Sequence, residues 1–101
     1  MPQNESQNDY ELRILVVEDE ECVRDLLRDL LESECCAVST TSSGREALAL
    51  FESREFDAVF TDVGMPGMSG WELAGTIRQQ NKEIPIAVIT GWGEVVGSGE
   101  E

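Results

Sequence analysis

Histidine is absent from the 101 residues, and cationic side chains are scarce: Lys and Arg number 7 against 21 Asp and Glu, a formal net charge of −14. The first absence excludes Ser-His-Asp and Cys-His catalysis and any metal site built on imidazole. The second makes the averaged surface repel phosphate backbones and anionic lipid faces, so neither nucleic acid nor membrane is an expected partner of this segment. Cysteine is sparse as well. Cys22, Cys35 and Cys36 are odd in number and include a vicinal pair, which makes no disulfide framework and fits a reducing compartment. They are expected to serve as small core or edge hydrophobes. No P-loop and no paired-cysteine ligand motif occurs. No apolar run is long enough to cross a membrane, and residues 1–11 have neither the basic cluster nor the apolar stretch of a signal peptide. A cytoplasmic protein is expected, with a polar N-terminal tail over 1–11 and a single domain over 12–101.

An acidic composition poor in aromatics also describes disordered chains, and the apolar patterning argues against that here. Ile14-Leu15-Val16-Val17 is a continuous, β-branched run, the pattern of a strand buried on both faces. From Val23 the period changes: Val23, Leu26, Leu27, Leu30 and Leu31 form the stripe of an amphipathic helix. The residues from Cys36 to Thr40 read as a second strand, and Ser43 with Glu46 three residues later predicts a capped helix over 44–52 with Ala47, Leu48 and Phe51 inward. Ala58-Val59-Phe60 is a third strand, ending in Thr61-Asp62 and a loop dense in turn residues, Gly64, Pro66, Gly67 and Gly70. Ser69 with Glu72 repeats the capping signal and opens a helix to about Gln80, with Leu73, Ala74 and Ile77 inward. Trp71 is expected to pack. Ile84-Pro85-Ile86-Ala87-Val88-Ile89 is a fourth strand whose proline stands near the start, where a missing N–H costs least. The alternation predicts an α/β fold, an open parallel sheet with helices on both faces.

Polar residues stand where three of these runs stop: Glu18 and Asp19 after the first, Asp62 after the third, Thr90 after the fourth. In a parallel sheet all of these are carboxyl ends on one edge, where open α/β folds bind ligands. Converging carboxylates raise one another's pKa unless a cation sits among them, and hard oxygen donors suit Mg²⁺, which leaves coordination positions for a phosphate oxygen. An ionised Asp beside such an ion is the nucleophile that forms an acyl phosphate, and Asp62, alone at its strand end before an accessible loop, is the candidate. The Thr90 hydroxyl is a candidate ligand of a phosphoryl oxygen.

These motifs resemble the receiver domains of two-component response regulators. The resemblance covers residues 13–94 and rests on Ile-Leu-Val-Val-Glu18-Asp19-Glu20, on Thr61-Asp62-Val63-Gly64-Met65-Pro66-Gly67-Met68-Ser69-Gly70, and on Ala87-Val88-Ile89-Thr90-Gly91-Trp92-Gly93. It implies a flavodoxin-like strand order 2-1-3-4. It also implies Asp62 as phosphoacceptor and Mg²⁺ ligand, Asp19 as direct ligand, Glu18 as ligand mainly through water, and Gly64 as ligand through its carbonyl. Thr90 would be the switch hydroxyl, and Gly64 and Trp92 the positions governing how water reaches the acyl phosphate. The implied partners are a sensor histidine kinase or phosphotransfer protein and a downstream effector domain or protein, with no separate substrate turnover.

The departures matter. The family's fifth strand, its terminal lysine and its last helix are absent, so the sequence reads as a C-terminally truncated receiver. The single lysine, Lys82, precedes the fourth strand at the opposite edge and cannot substitute. An uncovered fourth strand would be a template for self-association. Two rivals remain. A haloacid-dehalogenase-like phosphatase requires a second Asp two residues after the nucleophile, where Gly64 stands. A pseudo-receiver, an interaction module without phosphorylation, is opposed by the acidic pair with Asp62 and Thr90, though the missing lysine favours it.

Overall fold

A computed structural model of the chain describes residues 11–89 and the backbone of 95–96. Four parallel strands alternate with three helices: β1 (Arg13–Val17), α1 (Glu21–Ser33), β2 (Ala37–Thr41), α2 (Gly44–Ser53), β3 (Ala58–Asp62), α3 (Gly70–Gln80) and β4 (Ile86–Ile89). A two-residue strand, β5 (Val95–Val96), returns antiparallel on β4, giving the order β2-β1-β3-β4-β5. The expected 2-1-3-4 parallel sheet is therefore present. Among the described residues, this short antiparallel return is what lies beside β4. The expected open edge of β4 is correspondingly smaller: Val88 and Ile89 pair with Val96 and Val95, and Pro85, just ahead of β4, has no N–H to offer.

Alternation along the strands sorts the core. Leu15 and Val17 of β1, Val59 of β3, and Ile86 and Val88 of β4 share one face and are buried with Ala47 of α2 and Leu73 and Ile77 of α3. Trp71, Leu48 and Phe51 pack against this cluster from the side, as expected. The opposite face is covered by the described residues over only half its width. Ile14 and Val16 are buried there, and α1 touches β1 and β2 but neither β3 nor β4. Phe60, Ala87 and Ile89 stay half-exposed.

The same asymmetry explains why the stripe of α1, legible as a pattern, is not a buried face. No residue of α1 is fully buried, and Leu26 and Leu30 remain 57% and 55% exposed, because no second helix among the described residues lies beside them. Of the cysteines expected at core or edge positions, none is in the core: Cys22 and Cys35 are exposed and Cys36 is half-buried. Cys35 takes φ 66° in the turn that ends α1, where its N–H donates to the Glu32 carbonyl and that of Cys36 to the Leu31 carbonyl.

Both helix starts form at the predicted serines. At α3 the capping box is complete: Ser69 Oγ accepts from the Glu72 N–H at 3.2 Å and Glu72 Oε1 from the Ser69 N–H at 3.0 Å. At α2 only half forms. Ser43 Oγ accepts from the Glu46 N–H, but the Glu46 carboxylate turns to the N–H and hydroxyl of Ser42 instead.

Candidate functional site

The functional side chains stand where strands stop. β1 ends at Val17 and β3 at Asp62, and the register that pairs Val17 with Thr61 sets Glu18 beside Asp62 one step further on. The Glu18 N–H donates to the Thr41 carbonyl at 3.0 Å and the Val63 N–H to that of Ile89 at 3.1 Å, so both strand ends are held just beyond their ladders. As a result, carboxylate oxygens of Glu18, Asp19 and Asp62 all lie within 4.8 Å of one another. The structure brings together the three acids expected to meet.

Their surroundings differ. Glu18 is 5% exposed, Asp62 is half-buried and Asp19 faces solvent. Burial pushes the Glu18 carboxyl above its ordinary range; the Glu20 N–H, donating to Oε2 at 3.0 Å, opposes that shift, and Asp62 and Asp19 reinforce it by repulsion. A cluster of three oxygen donors without nitrogen or sulfur, one of them destabilised as an anion, fits a hard divalent cation such as Mg²⁺.

The raised Glu18 pKa has a stability consequence with a definite sign. Between the ordinary glutamate value and the raised one, the native state keeps a proton that the unfolded chain has released, so metal-free stability falls as pH rises through that interval. Below it both states are protonated and the penalty disappears. Glu18→Gln is expected to raise the urea midpoint near neutral pH in divalent-free buffer and to flatten the pH profile across the acidic range. Equal midpoints for variant and wild type at neutral pH would contradict the assignment.

The loop after Asp62 is pinned from below. Met65 is buried in the core cluster, the Gly70 N–H donates to the Val63 carbonyl at 2.9 Å, and Gly67 turns the chain at φ 85°. Gly70 is buried against the backbone of Asp62 itself: a Cβ there would overlap the Asp62 carbonyl oxygen. Gly64 is exposed two residues beyond Asp62, and no backbone donor among the described residues takes its carbonyl. Thr90 and Trp92 lie outside the described residues. Lys82 is exposed in the turn before β4, at the opposite edge from Asp62.

Sequence reasoning passed over two contributors. Gly70 was legible only as a turn residue, since its contact is with backbone 8 positions away in a different element. Arg24 was legible only as part of the polar side of α1, yet its Nη1 donates to the Glu18 carbonyl at 2.9 Å.

Residues 14–98 match the family model of the response regulator receiver domain. The chain belongs to that family. Transcriptional regulatory protein TcrA of Mycobacterium tuberculosis is 39% identical over 84 residues, 83% of this chain and 33% of that protein. The chain thus spans about a third of the length of this curated relative. Response regulator protein TrrA of Thermotoga maritima, solved in complex with Mg(2+)-BeF, superposes with a TM-score of 0.76 at 44% identity, covering 78% of this chain and 69% of that one. A structure of histidine kinase ThkA in complex with TrrA gives 0.77 at 42% identity, covering 82% and 72%. The receiver reading and the flavodoxin-like strand order are therefore borne out. Among the described residues no helix is long and apolar enough to cross a membrane.

Proposed function

We propose that this receiver domain accepts a phosphoryl group on Asp62 from a sensor histidine kinase or phosphotransfer protein, in a Mg²⁺-dependent reaction that switches a partner or output domain. The observation that carries the reading is the meeting of the Glu18, Asp19 and Asp62 carboxylates within 4.8 Å at the carboxyl edge of the sheet. Asp19 and Asp62 would hold the ion directly, Glu18 mainly through water, and the Gly64 carbonyl would complete the protein's share. An ion held there would supply neutralisation of the charge that builds on the transferred group. A carboxylate oxygen of Asp62 attacks phosphorus, an O–P bond forms as the donor's bond to phosphorus breaks, and the donor leaves with the electron pair. Thr90, the residue that follows β4, offers its hydroxyl to a phosphoryl oxygen and moves with it, biasing a two-state equilibrium read by the effector. In this reading no separate substrate is turned over and the reaction takes place in the cytoplasm, in keeping with three cysteines that make no disulfide framework. The relative solved with a histidine kinase and the one solved with Mg(2+)-BeF support the partner and the ion by analogy. Gly64 and Trp92 are the positions proposed to govern water's approach to the acyl phosphate.

The test is to incubate the chain with Mg²⁺ and a small acyl-phosphate donor and weigh it intact. The expected result is one added phosphoryl group, lost when the divalent ion is chelated. The single lysine, Lys82, standing at the far edge, favours a second reading, a pseudo-receiver that binds partners without being phosphorylated. A folded chain that takes no adduct would select it.

A further inference from the structure

We infer that Arg24 is a positioning residue for the metal-binding acids, fixing the turn that carries Glu18 and Asp19 through its hydrogen bond to the Glu18 carbonyl. The inference rests on the Mg²⁺ reading of the acidic cluster.

Glu18 is tied at each of its polar groups. Its N–H donates to the Thr41 carbonyl at 3.0 Å, its carboxylate accepts from the Glu20 N–H at 3.0 Å, and its carbonyl accepts from Arg24 Nη1 at 2.9 Å. Of the three partners, only Arg24 belongs to α1. The Glu18 carbonyl belongs to the peptide unit that joins Glu18 to Asp19, so a donor that fixes this oxygen fixes the peptide plane and the direction in which Asp19 leaves it. The arginine is itself anchored: its N–H donates to the Glu20 carbonyl at 2.9 Å in the first turn of α1. Strand end, turn, helix and guanidinium close a ring around residues 18–24.

Without this donor the half-buried carbonyl would lose a charge-assisted hydrogen bond and the peptide would be free to rotate. A metal site tolerates displacements of only about 0.5 Å or 10–20° before its ligands cease to act together. Arg24 reaches the carbonyl and, among the described residues, forms no ion pair with any carboxylate. Its contact with the turn is thus to a backbone oxygen, and the salt dependence of binding separates orientation from dilution of the cluster's negative charge.

The test measures Mg²⁺ binding to the full chain by calorimetry in wild type, Arg24→Met and Arg24→Lys, at low and high salt, alongside the backbone NMR signal of the Asp19 amide without metal. Met preserves length and helix propensity but offers no donor; Lys restores one. Arg24→Met is expected to bind Mg²⁺ about tenfold more weakly at both salt concentrations, as removal of a group that orients metal ligands does. Its Asp19 amide signal should be displaced while circular dichroism is unchanged, and Arg24→Lys should recover most of the affinity. Wild-type affinity in the Met variant would overturn the inference, as would a deficit that vanishes at high salt, the mark of a bulk charge effect. A wild type that itself binds no Mg²⁺ overturns the metal reading and this inference together, an outcome distinct from equal binding by wild type and variant.

Discussion

Asp62→Asn is expected to abolish phosphoryl acceptance from an acyl-phosphate donor while leaving the fold intact. The amide has nearly the size and shape of the carboxylate, so β3 and the loop behind it have no reason to move. Under the proposed function it loses the carboxylate oxygen that would form the O–P bond, and one of the three acids gathered where the cation would sit. It also loses one source of repulsion on Glu18, so that carboxyl should return towards its ordinary range. Three readouts thus move in known directions: the intact mass after donor treatment shows no adduct, Mg²⁺ binds more weakly, and the metal-free urea midpoint at neutral pH rises. An adduct of undiminished yield on Asp62→Asn would place the acceptor elsewhere in the cluster.

Gly70→Ala should be the most damaging single-methyl change in the described structure. The added carbon would lie inside the contact radius of the Asp62 carbonyl oxygen and close to the Asp62 carbonyl carbon and Val63 Cα, all of them backbone, so no side-chain rotation can make room. Overpacking of this kind costs about 1–3 kcal/mol, occasionally more. The gain from replacing glycine in a helix, about 0.5–1 kcal/mol, offsets only part of it. Against a total stability of about 5–15 kcal/mol, a net loss of about 1–2 kcal/mol is expected in urea unfolding. Because relief requires β3 and α3 to separate at Asp62, phosphoryl acceptance should fall as well. An unchanged midpoint would mean that the two backbones are not in contact.

Much of this was legible in the sequence because it depends on local period and on strand ends. The continuous run Ile14–Val17 reads as a strand covered on both faces, and three acids placed at the carboxyl ends of parallel strands share an edge. The capping pair Ser69–Glu72 needed nothing beyond its own four residues, and it formed completely. Where a third party intervened, the same signal was weaker: Glu46 found Ser42 before Ser43. The exposure of Leu26 and Leu30 was not legible, since a stripe reveals which side of α1 is apolar and says nothing of whether another helix will lie against it. Val95–Val96 is too short to show any period. Cys22 and Cys35 follow the same rule as the leucines, their burial decided by neighbours rather than by residue type.

The placement of β1 between β2 and β3 also bears on the order in which the chain can assemble. Arg13, at the start of the first strand, is clamped by Asp57, 44 residues further on, through its N–H at 2.7 Å and its guanidinium at 3.2 Å. During synthesis at about 5–20 residues per second, the strand that becomes the centre of the sheet therefore waits about 2–9 s for its second neighbour, paired on one side with β2 alone. Rapid local events, helix formation in α1 and α2 among them, are over long before. The pairing of β3 with β1 is what carries Asp62 to Glu18 and Asp19, so the acidic cluster cannot exist before the sheet's interior closes.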